Sequence, residues 1–165
     1  MVSIIMGSTS DLPVMEKAAA ILDMMEIPFE MNALSAHRTP REVETFAAEA
    51  EGRGVEVIIA GAGMAAALPG VIAAGTTIPV IGVPIKGMLD GLDAMLSMIQ
   101  MPPGIPVATV GVNAAQNAAL LAVEILALKD EALARRLKTY KEGLKDKIVK
   151  ANEALSEVKY RFKVN

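Results

Sequence analysis

The chain has one histidine, His37, and it stands beside Arg38 in the segment SAHRTP, residues 35–40. An imidazole changes charge near neutral pH, so it can give and take a proton at one position in turn. A guanidinium holds a phosphate or carboxylate through a fork of N–H bonds. The plainer reading of the pair is a satisfied surface imidazole and an Arg38–Glu42 ion pair at helical spacing. Two more segments carry chemistry. GSTSD, residues 7–11, offers free backbone N–H groups beside the hydroxyls of Ser8, Thr9 and Ser10. That set suits a phosphate, and the Asp11 carboxylate suits the hydroxyls of a ribose. It equally suits a helix cap. GAGMAAALPG, residues 61–70, is small at almost every position. Such a segment lets backbone approach a flat ligand and turns N–H groups toward a carboxylate or carbon dioxide. Tight helix–sheet packing would use the same residues. It is a poor dinucleotide fingerprint, because Ala66 occupies the third glycine position. Lys86 and Asp90, in KGMLDGLD, either rim a site or form an ordinary surface pair.

Composition narrows the classes. At 165 residues, with 53% hydrophobic and 21% charged side chains, the chain is a single domain with a real core. It has no Cys, which excludes disulfides, thiolate catalysis and sulfur-ligated metals and fits a reducing cytoplasm. One His excludes a multi-histidine zinc site. Three Phe, two Tyr and no Trp leave little to stack on nucleic-acid bases or to sandwich a flavin. No run approaches the ~20 apolar residues of a membrane span, and MVSIIMGSTSD does not read as a signal peptide. Charge is uneven: residues 1–128 hold 5 basic and 13 acidic side chains, and residues 129–165 hold 11 basic and 6 acidic. An acidic main body disfavours a nucleic-acid partner. The basic tail reads as a solvated helix or one that docks on an acidic neighbour.

The elements that must position these residues alternate. Apolar runs at 2–6, 28–34, 55–60, 78–83 and 106–111 read as buried strands. Periodic segments at 11–25, 40–53, 64–75, 89–100 and 113–128 read as helices. Ser10 or Asp11 is expected to cap the first, with Pro13 in its first turn. Gly54 should end the second. Strands alternating with helices imply an α/β three-layer sandwich, with a flavodoxin-like five-stranded parallel sheet in the order 2-1-3-4-5. In such sheets ligands bind beyond the carboxyl ends of the strands, where GSTSD, SAHRTP and GAGMAAALPG all fall. Residues 1–128 form this domain. Residues 129–165 are a C-terminal helical extension, whose stripe of Leu133, Leu137, Tyr140, Leu144, Ile148 and Ala151 suits a partner subunit.

GSTSD, SAHRTP, ALPG, PVIGVP, QMPPGIPVATV and NAALLAVEIL occur in this order over about residues 2–140. Together they closely resemble the PurE family of purine biosynthesis, the N5-carboxyaminoimidazole ribonucleotide mutases. The resemblance implies a small ribonucleotide substrate whose carboxylate moves from the exocyclic nitrogen to ring carbon 4. It implies no metal, ATP, biotin or other cofactor, no nucleic-acid or membrane partner, a homo-octamer and a cytoplasmic enzyme. By motif, His37 matches the general acid/base. The substrate-binding set comprises Gly7, Ser8, Ser10, Asp11, Ser35, Ala36, Arg38, Gly63 and Ala65. Ser8 and Arg38 would serve phosphate, and Asp11 the ribose. Two positions depart from the usual GAGGAAHLPG: Met64 stands for Gly and Ala67 for His. Direct carboxylation of aminoimidazole ribonucleotide, and a nucleotide-binding homologue without catalysis, are the alternatives.

Overall fold

Consecutive residues of each apolar run point to opposite faces of a strand, and here both faces are covered. The structure, a computed structural model, describes residues 1–164. Its strands are β1 (Val2–Met6), β2 (Phe29–Ala33), β3 (Val57–Ala62), β4 (Val80–Pro84) and β5 (Ala108–Thr109). All pair in parallel in the order β2-β1-β3-β4-β5. Every residue of β1, β3 and β4 is buried, as a central strand between two helix layers requires.

The helices are α1 (Leu12–Met24), α2 (Pro40–Glu49), α3 (Leu68–Gly75), α4 (Leu92–Ile99), α5 (Ala115–Ala127) and α6 (Glu131–Ser156). On one face Met15 and Leu22 of α1 and Ala118, Ala122 and Val123 of α5 pack on Ile4, Ile59 and Ile81. On the other, Val43 and Phe46 of α2, Ile72 of α3 and Met98 of α4 pack on Ile5 and Ile58. The expected three layers are therefore present. Small residues set their spacing. A Cβ on Gly61 would stand 2.5 Å from the Met15 sulfur, and one on Gly82 would stand 3.0 Å from that of Met98.

Several boundaries differ from the pattern in the sequence. Helix α2 stops at Glu49, and a turn ending on Gly54 (φ 77°) leads to β3. Helix α3 begins at Leu68 instead of 64, because Met64 and Ala66 adopt left-handed φ values of 52° and 41° that no helix can include. Helix α4 begins at Leu92, after left-handed Leu89, Asp90 and Gly91. Strand β5 is two residues long, since Pro102, Pro103 and Pro106 limit the ladder before it.

The extension is split in its packing. Leu133 and Leu137 join the main core at 2% and 9% exposure, and Tyr140 packs against it, whereas Leu144 and Ile148 are exposed. Asp130 caps α6 by accepting from the Leu133 N–H at 3.0 Å, a bond that holds its carboxyl below the usual range. Arg136 Nε donates to the Met25 carbonyl at 3.1 Å, and Lys129 pairs with Glu56.

Gly61→Ala would drive a methyl into fully buried Met15, and overpacking of this kind costs about 1–3 kcal/mol. Urea unfolding should register that loss, and the Gly61→Ala/Met15→Ala double variant should be more stable than the two single losses predict. A Gly61→Ala protein with a wild-type midpoint contradicts the close packing.

Candidate active site

Three loops meet at the carboxyl edge of the sheet because β1 lies between β2 and β3. After β1 the chain turns through Gly7, whose N–H donates to the Gly61 carbonyl at 3.1 Å and so joins the ends of β1 and β3. A single 3-10 turn, Thr9–Asp11, follows, capped by Ser8. Ser8 Oγ accepts from the Ser10 N–H at 3.3 Å and from the Ser10 hydroxyl at 3.0 Å. The cap expected from Ser10 or Asp11 on α1 is not formed. Asp11 precedes α1 without a side-chain cap bond, and the short 3-10 turn takes Ser8 as its cap instead. This leaves the Asp11 carboxylate facing the cleft. Burial pushes its pKa up, while hydrogen bonds from the Ser10 hydroxyl and the Ser8 backbone pull it down.

The second loop is a tight turn built on Ser35 and Thr39. Thr39 Oγ1 accepts from the Ser35 N–H at 2.9 Å and donates to the Ser35 carbonyl at 3.0 Å. Ser35 Oγ accepts from the Arg38 N–H at 3.3 Å. The Arg38 side chain does not pair with Glu42. Its Nη2 reaches back to donate to the Gly7 carbonyl at 3.1 Å, which ties the second loop to the first. Pro40 then opens α2 in its first turn, where a missing N–H costs little.

The third loop runs from Gly63 to Ala67 and closes with an Ala66 N–H bond to the Gly63 carbonyl at 3.0 Å. A Cβ on Gly63 would stand 3.3 Å from the Ile85 carbonyl, so the β3 and β4 ends approach closely there. Left-handed Met64 and Ala66 store backbone strain in this loop.

One cavity of about 650 Å³ opens among these loops. Gly7, Ser8, Ser10, Asp11, Ser35, Ala36, His37, Arg38, Gly63 and Ala65 all line it. So do Met64, Ala66, Ala67, Leu68, Ile85, Lys86 and Gly87. His37 and Arg38 are exposed on its wall. The polar half, with the serine turn, Asp11 and Arg38, suits a phosphorylated sugar. The apolar half, from Ala65 to Leu68 with Ile85, suits a small flat ring. His37 belongs to the same lining, as a group able to move protons. Lys86 also lines the cavity, and its Nζ pairs with Asp90 Oδ1 at 3.0 Å outside that lining. Asn113, which the sequence did not mark, holds Lys86 in place. Its Oδ1 accepts from the Lys86 N–H at 2.9 Å, and its left-handed backbone donates to the Pro84 carbonyl at 2.8 Å. Its only sequence signal was an Asn at a loop position that needs positive φ.

Among the described residues no group of three His, Asp or Glu side chains is arranged to hold a metal ion. No helix among the described residues is long and apolar enough to cross a membrane.

The sequence profile of the AIR carboxylase family matches residues 1–147. A Pyrococcus abyssi protein named N5-carboxyaminoimidazole ribonucleotide mutase is 61% identical over 145 residues, covering 87% of this chain and 83% of that one. A Thermotoga maritima protein of the same name is 51% identical over 165 residues, covering 99% of this chain and 96% of that one. The crystal structure of Treponema denticola PurE superposes with a TM-score of 0.85 at 33% identity, covering 93% of this chain and 97% of that one. With its sequence matched over nearly the whole fold and its three site loops in place, the chain belongs to the AIR carboxylase family.

Proposed function

We propose that the protein is an N5-carboxyaminoimidazole ribonucleotide mutase, an isomerase of de novo purine biosynthesis. One observation carries the reading: the only imidazole of the chain shares a single cavity with the serine turn, Asp11 and Arg38. Its mutase relatives at 51–61% identity support the reaction type.

The chemistry needs little more than position and one proton carrier. The carbamate C–N bond breaks, carbon dioxide leaves, and the exocyclic nitrogen takes a proton. Ring carbon 4 then attacks the same carbon dioxide, and the proton on carbon 4 is removed. His37 gives the first proton and takes the second, so it ends as it began. Ser8, Ser10 and Arg38 hold the phosphate, Asp11 the ribose hydroxyls, and Gly7, Ser35 and Ala36 shape that end of the cleft. Gly63 and Ala65 border the ring. The apolar wall keeps carbon dioxide out of water between the two steps, where hydration would divert it.

The same reading takes the protein as a cytoplasmic homo-octamer, with residues 129–165 as an extension that packs on a neighbouring subunit. The exposed Leu144 and Ile148 on a basic helix, beside an acidic main body, support that arrangement. Direct carboxylation of aminoimidazole ribonucleotide is the alternative chemistry. A nucleotide-binding homologue without turnover is the other alternative, motivated by Ala67 where the resemblance leads one to expect a histidine.

Purified protein should convert N5-carboxyaminoimidazole ribonucleotide to the 4-carboxy isomer with no ATP or metal and no dependence on added bicarbonate. Product formed only from aminoimidazole ribonucleotide in proportion to bicarbonate would mean a carboxylase, and binding without turnover of either would mean a non-catalytic homologue. Light scattering should give a mass near eight subunits; a monomer contradicts the assembly.

A further inference from the structure

The five basic side chains of residues 1–128 are Lys17, Arg38, Arg41, Arg53 and Lys86. Arg53 is taken up by Glu30, the Phe46 carbonyl and the Phe46 ring. Arg41 lines a separate groove at the β2 edge. Arg38 and Lys86 alone of the five line the active-site cavity. In a body with 13 acidic groups, two cations on one cleft are a concentration of positive charge that a doubly anionic ligand would match.

The two cations are fixed from different directions. Arg38 is tied to Gly7, beside the serine turn. Lys86 follows β4, next to Ile85 and the Gly63–Ala67 loop, on the apolar side of the cavity. Its backbone is anchored by Asn113, and its side chain is 59% exposed. Its partner Asp90 is 86% exposed and is not part of the cavity lining. A pair that open to water holds weakly, so the ammonium can turn to a ligand anion at small cost.

We propose that Lys86 is a substrate-binding residue that holds the migrating carboxylate, dividing the ligand's two anions with Arg38, which takes the phosphate. This rests on the mutase reading, in which the ligand carries a phosphate at one end and a carboxylate at the other. The Gly63–Ala67 loop carries no charged side chain of its own, and Lys86 follows Ile85, whose N–H donates to the Ala62 carbonyl at 2.9 Å just before that loop. It holds the anion by charge and hydrogen bonding, and it moves no proton.

The test compares two nucleotides that differ by the carboxylate alone: 4-carboxy-5-aminoimidazole ribonucleotide and 5-aminoimidazole ribonucleotide. Calorimetry would measure both on wild type, Lys86→Met, Lys86→Arg and Arg38→Ala. Lys86→Met should lose about tenfold in affinity for the carboxylated nucleotide, the scale of one charged hydrogen bond. It should bind the other as wild type does, and Lys86→Arg should restore most of the loss. Arg38→Ala should weaken both alike. Equal losses of the two nucleotides in Lys86→Met, or no loss of either, overturns the assignment while leaving the mutase reading intact. A wild-type protein that binds neither nucleotide overturns both.

Discussion

A parallel sheet sends every strand toward the same edge, and in this protein β1 sits between β2 and β3. The loops after these strands must therefore meet, although about 60 residues of sequence separate Gly7 from Ala67. Two hydrogen bonds fix how they meet. The Gly7 N–H reaches the Gly61 carbonyl, and the Gly7 carbonyl receives Arg38 Nη2. One residue thus joins the first loop to the end of β3, from which the third loop springs, through its donor, and to the second loop through its acceptor. The imidazole, the serine turn and the small-residue loop all take their mutual positions from that residue.

The groups of the cavity are held at some expense to stability. Asp11 keeps a carboxylate in a partly buried place, and burial raises its pKa. Acid therefore favours the folded state at this group. Met64 and Ala66 adopt backbone angles that suit glycine. Such strain persists where surrounding structure over-determines it, and here the close approach of the β3 and β4 ends does so. Stability comes from elsewhere: two apolar layers, and the first turns of α6 seated on α5.

The layer order and the three site loops were legible in the sequence because both depend on local signals. Buried parallel strands read as unbroken apolar runs, and glycine and proline mark their ends. The ten residues chosen from the motifs line one cavity for the same reason, since motif and loop coincide. The boundaries near the site were less legible. The pattern 64–75 reads as one small-residue helix, yet its first four residues form a loop that lines the cavity. Positive φ at Met64 and Ala66 leaves no trace in residue type. Arg38 and Glu42 have ideal helical spacing, but the bond to Gly7 wins because it crosses loops, which spacing within one helix cannot reveal. The role of Asn113 is long-range in the same way. The apolar stripe of α6 reads as continuous, whereas the fold covers only its first half.

The central claim is that His37 moves the proton at both carboxyl-transfer steps. The most direct measurement is the turnover of N5-carboxyaminoimidazole ribonucleotide by His37→Asn, set beside its affinity for the 4-carboxy product. Loss of a positioned acid/base should lower the rate by about 10²–10⁴, with affinity within a few-fold of wild type. A variant that turns over at a near-normal rate contradicts the account.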